Sequence, residues 1–199
     1  MVILLDMIKA RLTEPDQNEI LAYLRAKADR IDEQEMKRIA ECTGLVKEYA
    51  APALVYKRVK CVNGNIEDLP LEGDSIRRLL NGAKEAVVFA ATLGPGVDRL
   101  ISRFQVTDMA KAVIIDAAAS AAIENVCNNF EAEMRGQVEG GGMTLTYRFS
   151  PGYGDLPIST QSRLAEFLNC QRMIGLSVSE KYLMTPVKSV TAIMGIIER

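Results

Sequence analysis

A long alanine-rich segment is the feature that most restricts how this chain can fold. The apolar pattern from Asp108 to about Arg135 predicts one continuous helix. Small side chains are concentrated over two turns in its middle, so another part of the backbone can approach closely. We therefore predict that this helix packs tightly against a sheet. The small residues are Ala117, Ala118, Ala119, Ala121 and Ala122.

Four further segments predict β-strands. Residues 53–62 are rich in β-branched side chains and end at Asn63-Gly64, a strong turn signal. Residues 86–91 form a short continuous apolar run, which is typical of a buried strand. Because strands and helices do not alternate strictly, the pattern favours an α+β fold over a Rossmann fold. We predict a mixed or antiparallel sheet with helices on one face. The remaining strands are predicted at residues 143–149 and 189–197.

The N-terminal quarter of the chain predicts a helical layer with a charged outer face. Apolar side chains recur at spacings of three and four from Asp16 to about Leu45. Asp16 is the predicted N-cap, with Glu19 placed as in a capping box, and Gly44 is the predicted helix end. A chain of 199 residues can bury one sizeable core. We expect a single domain over residues 1–199, with this layer at 1–50 and an α+β core at 51–199.

Charge and hydropathy exclude several classes of partner. The formal net charge is −2, from 24 basic and 26 acidic residues, so the clustered positive charge typical of nucleic-acid binding is not expected. No apolar run approaches the roughly 20 residues that span a bilayer. The opening residues 1–5 are followed at once by Asp6 and do not resemble a signal peptide. We expect a soluble, cytoplasmic protein that binds neither nucleic acid nor membrane.

The sequence contains no histidine, which excludes Ser-His-Asp and Cys-His catalysis and any histidine-ligated metal. We predict neither a catalytic side chain nor a metal site, and acid–base work would fall to carboxylates, lysine or tyrosine. The cysteines are widely scattered and contain no C-x-x-C pair, which favours buried free thiols. They are Cys42, Cys61, Cys127 and Cys170.

The loop from Arg148 to Pro157 is the most informative stretch for function. Pro151-Gly152 suits the two central positions of a type II turn. Such a loop is stiff and bears few side chains, so its backbone could touch a ligand. Arg148 offers a planar fork that matches a carboxylate, and Tyr153 has room to lay its ring on a flat partner. The alternative is an ordinary connection in which Tyr153 packs on the core as a lid.

The segment Arg148-x-x-Pro151-Gly152-Tyr153 resembles the R-x-x-P-G-Y signature of the activation domain of cobalamin-dependent methionine synthase. The continuation through Gly154-Asp155 resembles short, stand-alone homologues of that domain. The resemblance extends over residues 67–195, about two thirds of the chain, and the preceding residues match only loosely. Further matching residues are Leu69-Pro70-Leu71, Ala91-Thr92-Leu93-Gly94, Ile123-Glu124, Pro157, Gln161, Gly175-Leu176, Met184, Pro186 and Ser189-Val190.

This resemblance implies roles for individual residues. It implies that Arg148 binds the carboxylate of S-adenosylmethionine and that Glu124 binds its ammonium. Such a pairing suits a zwitterionic amino acid. For Glu124, a solvent-facing helix position is the equal alternative. The remaining implied contacts are the turn backbone of Ser150, Pro151 and Gly152 with the ligand, and Tyr153 and Gly154 with the corrin of cobalamin.

Two departures from the family pattern concern the binding surface. The segment Gly154-Asp155-Leu156-Pro157 replaces a cysteine, aspartate and histidine segment of the full-length enzyme. The family domain is also longer after the position of Gly195, where further tyrosines contact its ligand. Part of the family's binding surface is therefore expected to be missing here or supplied by a partner.

The resemblance implies a stand-alone activation domain that binds S-adenosylmethionine and assists reductive methylation of a methionine synthase lacking this domain. The partner would hold the cobalamin, and a flavodoxin or ferredoxin would donate the electron. The chain would be an accessory of a methyltransferase system, and whether it is itself an enzyme stays open. The alternative is a non-catalytic protein that caps or chaperones a corrinoid protein. An ordinary methyltransferase fits poorly, because the glycine-rich turn at residues 94–96 lacks the G-x-G-x-x-G pattern and is interpreted as structural.

Overall fold

The fold is described from a computed structural model, which covers residues 6–27, 29 and 31–199 and gives only the backbone of residues 6–9. Residues 1–5, 28 and 30 of the predicted N-terminal layer lie outside the described residues. The described elements, in chain order, are β1 (Asp6–Lys9), α1 (Gln17–Tyr23), α2 (Glu33–Tyr49), β2 (Ala53–Val62), β3 (Asn65–Ile66), α3 (Asp74–Leu79), β4 (Glu85–Thr92), α4 (Pro95–Thr107), α5 (Met109–Glu139), β5 (Met143–Leu145), α6 (Thr160–Phe167), α7 (Cys170–Ile174), β6 (Ser177–Val178), β7 (Met184–Thr185) and β8 (Ser189–Glu198).

The main sheet has the strand order β1-β2-β4-β8-β5, and β3 pairs with β2 beside this path. All of these pairings are antiparallel. A second sheet consists of β6 and β7. The predicted α+β class with an antiparallel sheet is confirmed. The strand predicted at residues 143–149 is shorter than expected, because β5 ends at Leu145 and pairing resumes only at Phe149.

Alternating side chains of the central strand β4 enter two different cores. Val87, Phe89 and Ala91 pack with α1, α2, α4 and α5, whereas Val88 and Ala90 face α3, α6 and α7. The sheet is therefore covered on both faces, and the prediction of helices on one face is wrong. The short helices of the second face are built from segments that carry few apolar positions each, which makes their packing hard to predict.

The alanine-rich helix α5 packs as expected. Its five central alanines are buried in the core that it shares with β4, β8, α2 and α4. The predicted free thiols are also confirmed, since all four cysteines are buried and unpaired. Among the described residues, no helix combines the length and the apolar character that crossing a bilayer requires.

The N-terminal layer differs from its prediction in two places. Asp16 caps α1 as expected, but the helix ends at Tyr23, and Arg25 adopts a left-handed φ of 53°. A new helix begins after Asp32. Gly44 does not end it, because α2 continues to Tyr49 and buries residues on both sides of the glycine against α5. Tertiary packing there outweighs the low helix propensity of one glycine.

The glycine-rich turn after β4 serves close packing. A Cβ atom on Gly96 would lie 2.2 Å from the carbonyl oxygen of Tyr49, so only glycine fits where α2 meets the start of α4. The Gly94 amide donates to Thr92 Oγ1 at 3.0 Å. The geometry supports the structural interpretation of this turn.

Candidate functional site

Phe149 sets the direction of the side chains in the loop from Arg148 to Pro157. Its amide donates to the Ile193 carbonyl oxygen at 3.0 Å, and its own carbonyl oxygen accepts from the Ile193 amide at 2.9 Å. The Phe149 ring is buried in the core beside α3, α6 and α7. Because neighbours along an extended chain point to opposite faces, Arg148 and Ser150 are turned toward α5.

The backbone of the loop closes two consecutive turns. The Tyr153 amide donates to the Ser150 carbonyl oxygen at 3.2 Å, and Gly152 has a φ of 90°, so the predicted type II turn is confirmed. The Leu156 amide donates to the Tyr153 carbonyl oxygen at 3.1 Å, and the Gly152 amide donates to the Leu156 carbonyl oxygen at 2.9 Å. The side chains of Pro151 and Leu156 are buried. The loop is thus held in one shape by its own bonds.

Asp155 fastens this loop to the first turn of α3. Its carboxylate accepts from the Asp74 amide at 2.7 Å and from the Ser75 amide at 2.9 Å. The hydrogen bonds from Ser75 and then Asp74 lower the pKa of Asp155 to about 2. Asp74 is the first helical residue of α3, and Gly73 before it has no side chain with which to cap the helix. The cap comes from a loop far away in sequence.

We expect Asp155→Asn to lower the melting temperature at neutral pH, because an amide cannot accept both backbone bonds equally well. The depressed pKa means that this contribution is present above the unfolded-state pKa, about 3.9, and is lost as pH falls through about 2. Thermal melting of both proteins from pH 7 down to pH 2 measures the difference. A difference that stays constant over this range would contradict the assignment.

Arg148 lies against one face of α5. Its Nη2 is 3.1 Å from Glu124 Oε2 and 2.6 Å from Asn128 Oδ1, and its Nε is 3.2 Å from Glu131 Oε2. These three partners are spaced four and three residues apart, so they share a helix face. The Arg148 side chain is only 21% exposed. Its guanidinium therefore bridges the loop to the helix through several charge-assisted bonds.

Beneath the guanidinium lies the thiol of Cys127. Burial raises the pKa of Cys127 to about 12, so the group stays a neutral thiol at physiological pH. It provides packing under Arg148 and is no nucleophile.

A cleft of about 460 Å³ opens between this loop and α5. Its volume lies within the range of roughly 300–1,000 Å³ that is usual for small-molecule sites. The structure brings four of the predicted site residues together in its wall, namely Glu124, Arg148, Ser150 and Tyr153. Pro151, Gly152 and Gly154 do not line it; they shape the loop. The full lining is Glu124, Glu131, Tyr147, Arg148, Phe149, Ser150, Tyr153 and Val190.

Tyr153 is 68% exposed, so the alternative of a lid packed on the core is wrong. Tyr147, on the same wall, is 66% exposed. Glu124 is half-buried and paired with Arg148, so it is no freely solvated helix residue. Two flat aromatic side chains and a charged pair thus surround the cleft.

Sequence reasoning missed Glu131, Asn128 and Tyr147. Glu131 follows Glu124 by seven residues, or two helical turns, and that spacing was the available signal. Asn128 and Tyr147 carried no signal of their own, because their roles depend on how the loop meets α5.

Comparison with solved structures identifies known proteins that share this fold. No protein-family model matches the sequence, and no curated protein is significantly similar to it. Thirteen chains of solved structures do match, including a crystal structure of the MetH reactivation domain bound to AdoHcy. That match has a TM-score of 0.71 at 16% identity and covers 97% of this chain and 78% of the other. The chain therefore has the fold of the methionine synthase (MetH) reactivation domain, in agreement with the resemblance of its loop.

Proposed function

We propose that this chain binds S-adenosylmethionine in the cleft beside Arg148 and assists reductive methylation of a cobalamin-dependent methionine synthase that lacks this domain. One observation carries the proposal. Arg148 and Glu124 face each other at 3.1 Å in a cleft of suitable size, on a fold whose solved counterpart holds AdoHcy. AdoHcy, S-adenosylhomocysteine, differs from S-adenosylmethionine by one methyl group.

The charged pair fits the amino-acid part of the ligand. In the structure Arg148 and Glu124 neutralise each other. A ligand carboxylate would replace Glu124 as the partner of Arg148. A ligand ammonium would replace Arg148 as the partner of Glu124. Neither the Arg148 nor the Glu124 charge would then be left unpaired, so the exchange would cost little free energy.

The loop would position the ligand through its backbone. Ser150 lines the cleft, and the turn at Pro151-Gly152 is already formed by the Tyr153 to Ser150 hydrogen bond. A wall that is ordered before binding loses little conformational freedom when the ligand arrives. Ser150 is therefore suited to contact the ligand, while Pro151 and Gly152 fix the turn that holds Ser150 in place.

Tyr153 and Gly154 would face the partner. Bound S-adenosylmethionine would supply an electrophilic methyl group to the partner's reduced cobalamin and leave as S-adenosylhomocysteine, and a flavodoxin or ferredoxin would supply the electron. The residues of this chain contribute proximity and orientation. Tyr153 has an exposed ring on a fixed loop, as contact with a flat corrin requires.

Calorimetric titration of the full chain with S-adenosylmethionine, alone and with the partner synthase, tests the binding. A reactivation assay on cobalt(II) methionine synthase lacking the domain tests the role. Binding with recovery of activity is expected. The absence of heat under both conditions would contradict the proposal and favour a protein that caps a corrinoid partner without using the ligand.

One observation favours that alternative. Glu124, Asn128 and Glu131 of this chain already supply partners for the Arg148 guanidinium. A cap of this kind would bind the corrinoid partner equally well with and without S-adenosylmethionine. Pull-down of the partner across a ligand titration therefore separates the two functions.

We expect Tyr153→Ala to leave stability nearly unchanged, because removing an exposed loop side chain usually costs less than about 0.5 kcal/mol. Affinity for S-adenosylmethionine should also persist, while reactivation of the cobalt(II) enzyme falls sharply. Tyr153→Phe, which keeps the ring, is the matched control and should retain activity. A large fall in melting temperature with unchanged reactivation per folded molecule would contradict this role.

A further inference from the structure

Glu131 lies between two arginines that belong to different elements. Its Oε2 is 3.2 Å from Nε of Arg148 in the loop, and its Oε1 accepts a hydrogen bond from Nη2 of Arg135 in α5 at 2.8 Å. The Glu131 side chain is 23% exposed, so its carboxylate is largely shielded from water. Each of its two oxygens thus contacts a different guanidinium.

Arg135 connects this pair of charges to the sheet. Its Nη1 donates to Thr144 Oγ1 at 3.0 Å and to the Leu145 carbonyl oxygen at 3.3 Å. Both acceptors belong to β5, the edge strand that precedes the loop. A continuous series of polar contacts therefore runs from β5 through Arg135 and Glu131 to Arg148.

The Arg148 guanidinium uses different nitrogens for different partners. Nη2 lies against Glu124 and Asn128, whereas Nε lies against Glu131. If a ligand carboxylate replaces Glu124, the exchange takes place at the Nη end and leaves the Nε contact in place. Glu131 is two helical turns from Glu124, so it need not move when Glu124 changes its partner.

We propose that Glu131 is a positioning residue, which holds the Arg148 guanidinium in the cleft while Glu124 exchanges Arg148 for the ligand's ammonium. The inference rests on the proposed function. A long side chain that becomes ordered only when the ligand binds costs affinity. Because Glu131 is itself fixed by Arg135, the ligand's carboxylate meets a guanidinium that is already in position.

The two carboxylates in this wall thus have different roles. Glu124 pairs with Arg148 at 3.1 Å and can take the ligand's ammonium in its place. Glu131 is unsuited to bind that ammonium, because its single negative charge is already shared by two guanidinium groups. It acts on the ligand through Arg148.

A positioning role predicts a loss of affinity that depends on the ligand's carboxylate. In Glu131→Gln the amide accepts at one of its two positions, and we expect it to keep the shorter bond to Arg135 and to release Arg148. S-adenosylmethionine should then bind about fivefold more weakly. Decarboxylated S-adenosylmethionine keeps the sulfonium, the ammonium and the adenosyl group but offers Arg148 no carboxylate. Its affinity should change by less than about twofold.

The test is calorimetric titration of the full chain with both ligands, with thermal melting of every variant. Glu131→Gln is titrated alone and combined with Arg148→Ala, where it should cause no further loss, because it acts through the missing guanidinium. Glu133→Gln is the matched control, since Glu133 is exposed on α5 and lines a different depression. It should leave both affinities unchanged. A carboxylate-dependent loss that disappears in the Arg148→Ala background supports the inference.

Other outcomes overturn the positioning role. Tighter binding of S-adenosylmethionine in Glu131→Gln would show that Glu131 competes with the ligand's carboxylate for Arg148, and unchanged binding would show that it does not position the guanidinium. Equal losses for both ligands, or a loss that persists in Arg148→Ala, would mean that Glu131 acts on the fold or contacts the ligand directly. In each case the proposed function stands. If the wild type binds neither ligand, the proposed function fails and the inference with it.

Discussion

Replacing Arg148 with alanine is expected to weaken S-adenosylmethionine binding at least tenfold. Arg148 is the cation in the described wall of the cleft that can pair with the ligand's carboxylate. Losing a hydrogen bond to a charged group costs roughly 1.5–3 kcal/mol, which corresponds to about a tenfold to hundredfold change in affinity. Titration calorimetry of the wild type and the variant measures the loss.

A second substitution of Arg148 separates the effect of its planar shape on binding from the effect of its positive charge. Arg148→Lys keeps the positive charge but loses the planar fork that contacts Glu124, Asn128 and Glu131. Its affinity should stay well below that of the wild type. Both variants also leave two half-buried carboxylates with weaker neutralisation, so melting temperatures are needed to express binding per folded molecule. Wild-type affinity in Arg148→Lys would mean that Arg148 acts as a point charge or does not touch the ligand.

Replacing Gly96 with alanine is expected to destabilise the fold severely. The new Cβ would lie 2.2 Å from the Tyr49 carbonyl oxygen, and both groups belong to backbone that cannot swing aside. Overpacking typically costs about 1–3 kcal/mol and can exceed that when backbone must move. For a chain of this length, each kcal/mol lowers the melting temperature by about 2–4 °C.

Gly136→Ala is the control for Gly96→Ala. Gly136 lies inside α5, and apart from the adjoining backbone of that helix nothing lies within 4 Å of the added Cβ, so alanine should stabilise the helix by roughly 0.5–1 kcal/mol. Thermal melting of the two variants should thus shift in opposite directions. A Gly96→Ala protein that melts normally but no longer binds S-adenosylmethionine would contradict the structural role and revive a ligand-binding glycine loop.

Features that depend on neighbours along the chain were predictable from the sequence. The strand at residues 53–62 has the predicted bounds, and Asn63 and Gly64 both adopt the positive φ that their turn requires. The apolar run at residues 86–91 is the buried centre of β4. The type II turn at Pro151-Gly152 followed from the two residue types alone.

Features that depend on packing were not predictable in this way. The residues around Gly44 suggest a helix end, but the side chains of Cys42 and Val46 on either side of it are buried, and α2 continues through the glycine. The cap of α3 comes from Asp155, about eighty residues later. Nothing near Asp74 in the sequence indicates that acceptor, because the contact depends on where the sheet carries the loop.

The candidate site shows the same division. Arg148 and Glu124, both named from the resemblance, lie 3.1 Å apart, and their ligand contacts remain predictions. The contribution of Glu131 could have been inferred from its two-turn spacing on α5, whereas that of Tyr147 depends on how the loop meets α5. Residues that act through a helix face are thus easier to find than residues that arrive from another layer.

The double turn around Tyr153 has a consequence for association with a partner. Fixing one residue's backbone costs about 1–2 kcal/mol of conformational entropy. In this loop that cost is met during folding, through the bonds at Ser150, Leu156 and Asp155. A partner that docks on Tyr153 therefore meets a surface with little freedom left to lose, so even a small contact area can give a complex that forms and separates repeatedly. Such turnover suits the proposed role, in which one chain would serve many partner molecules.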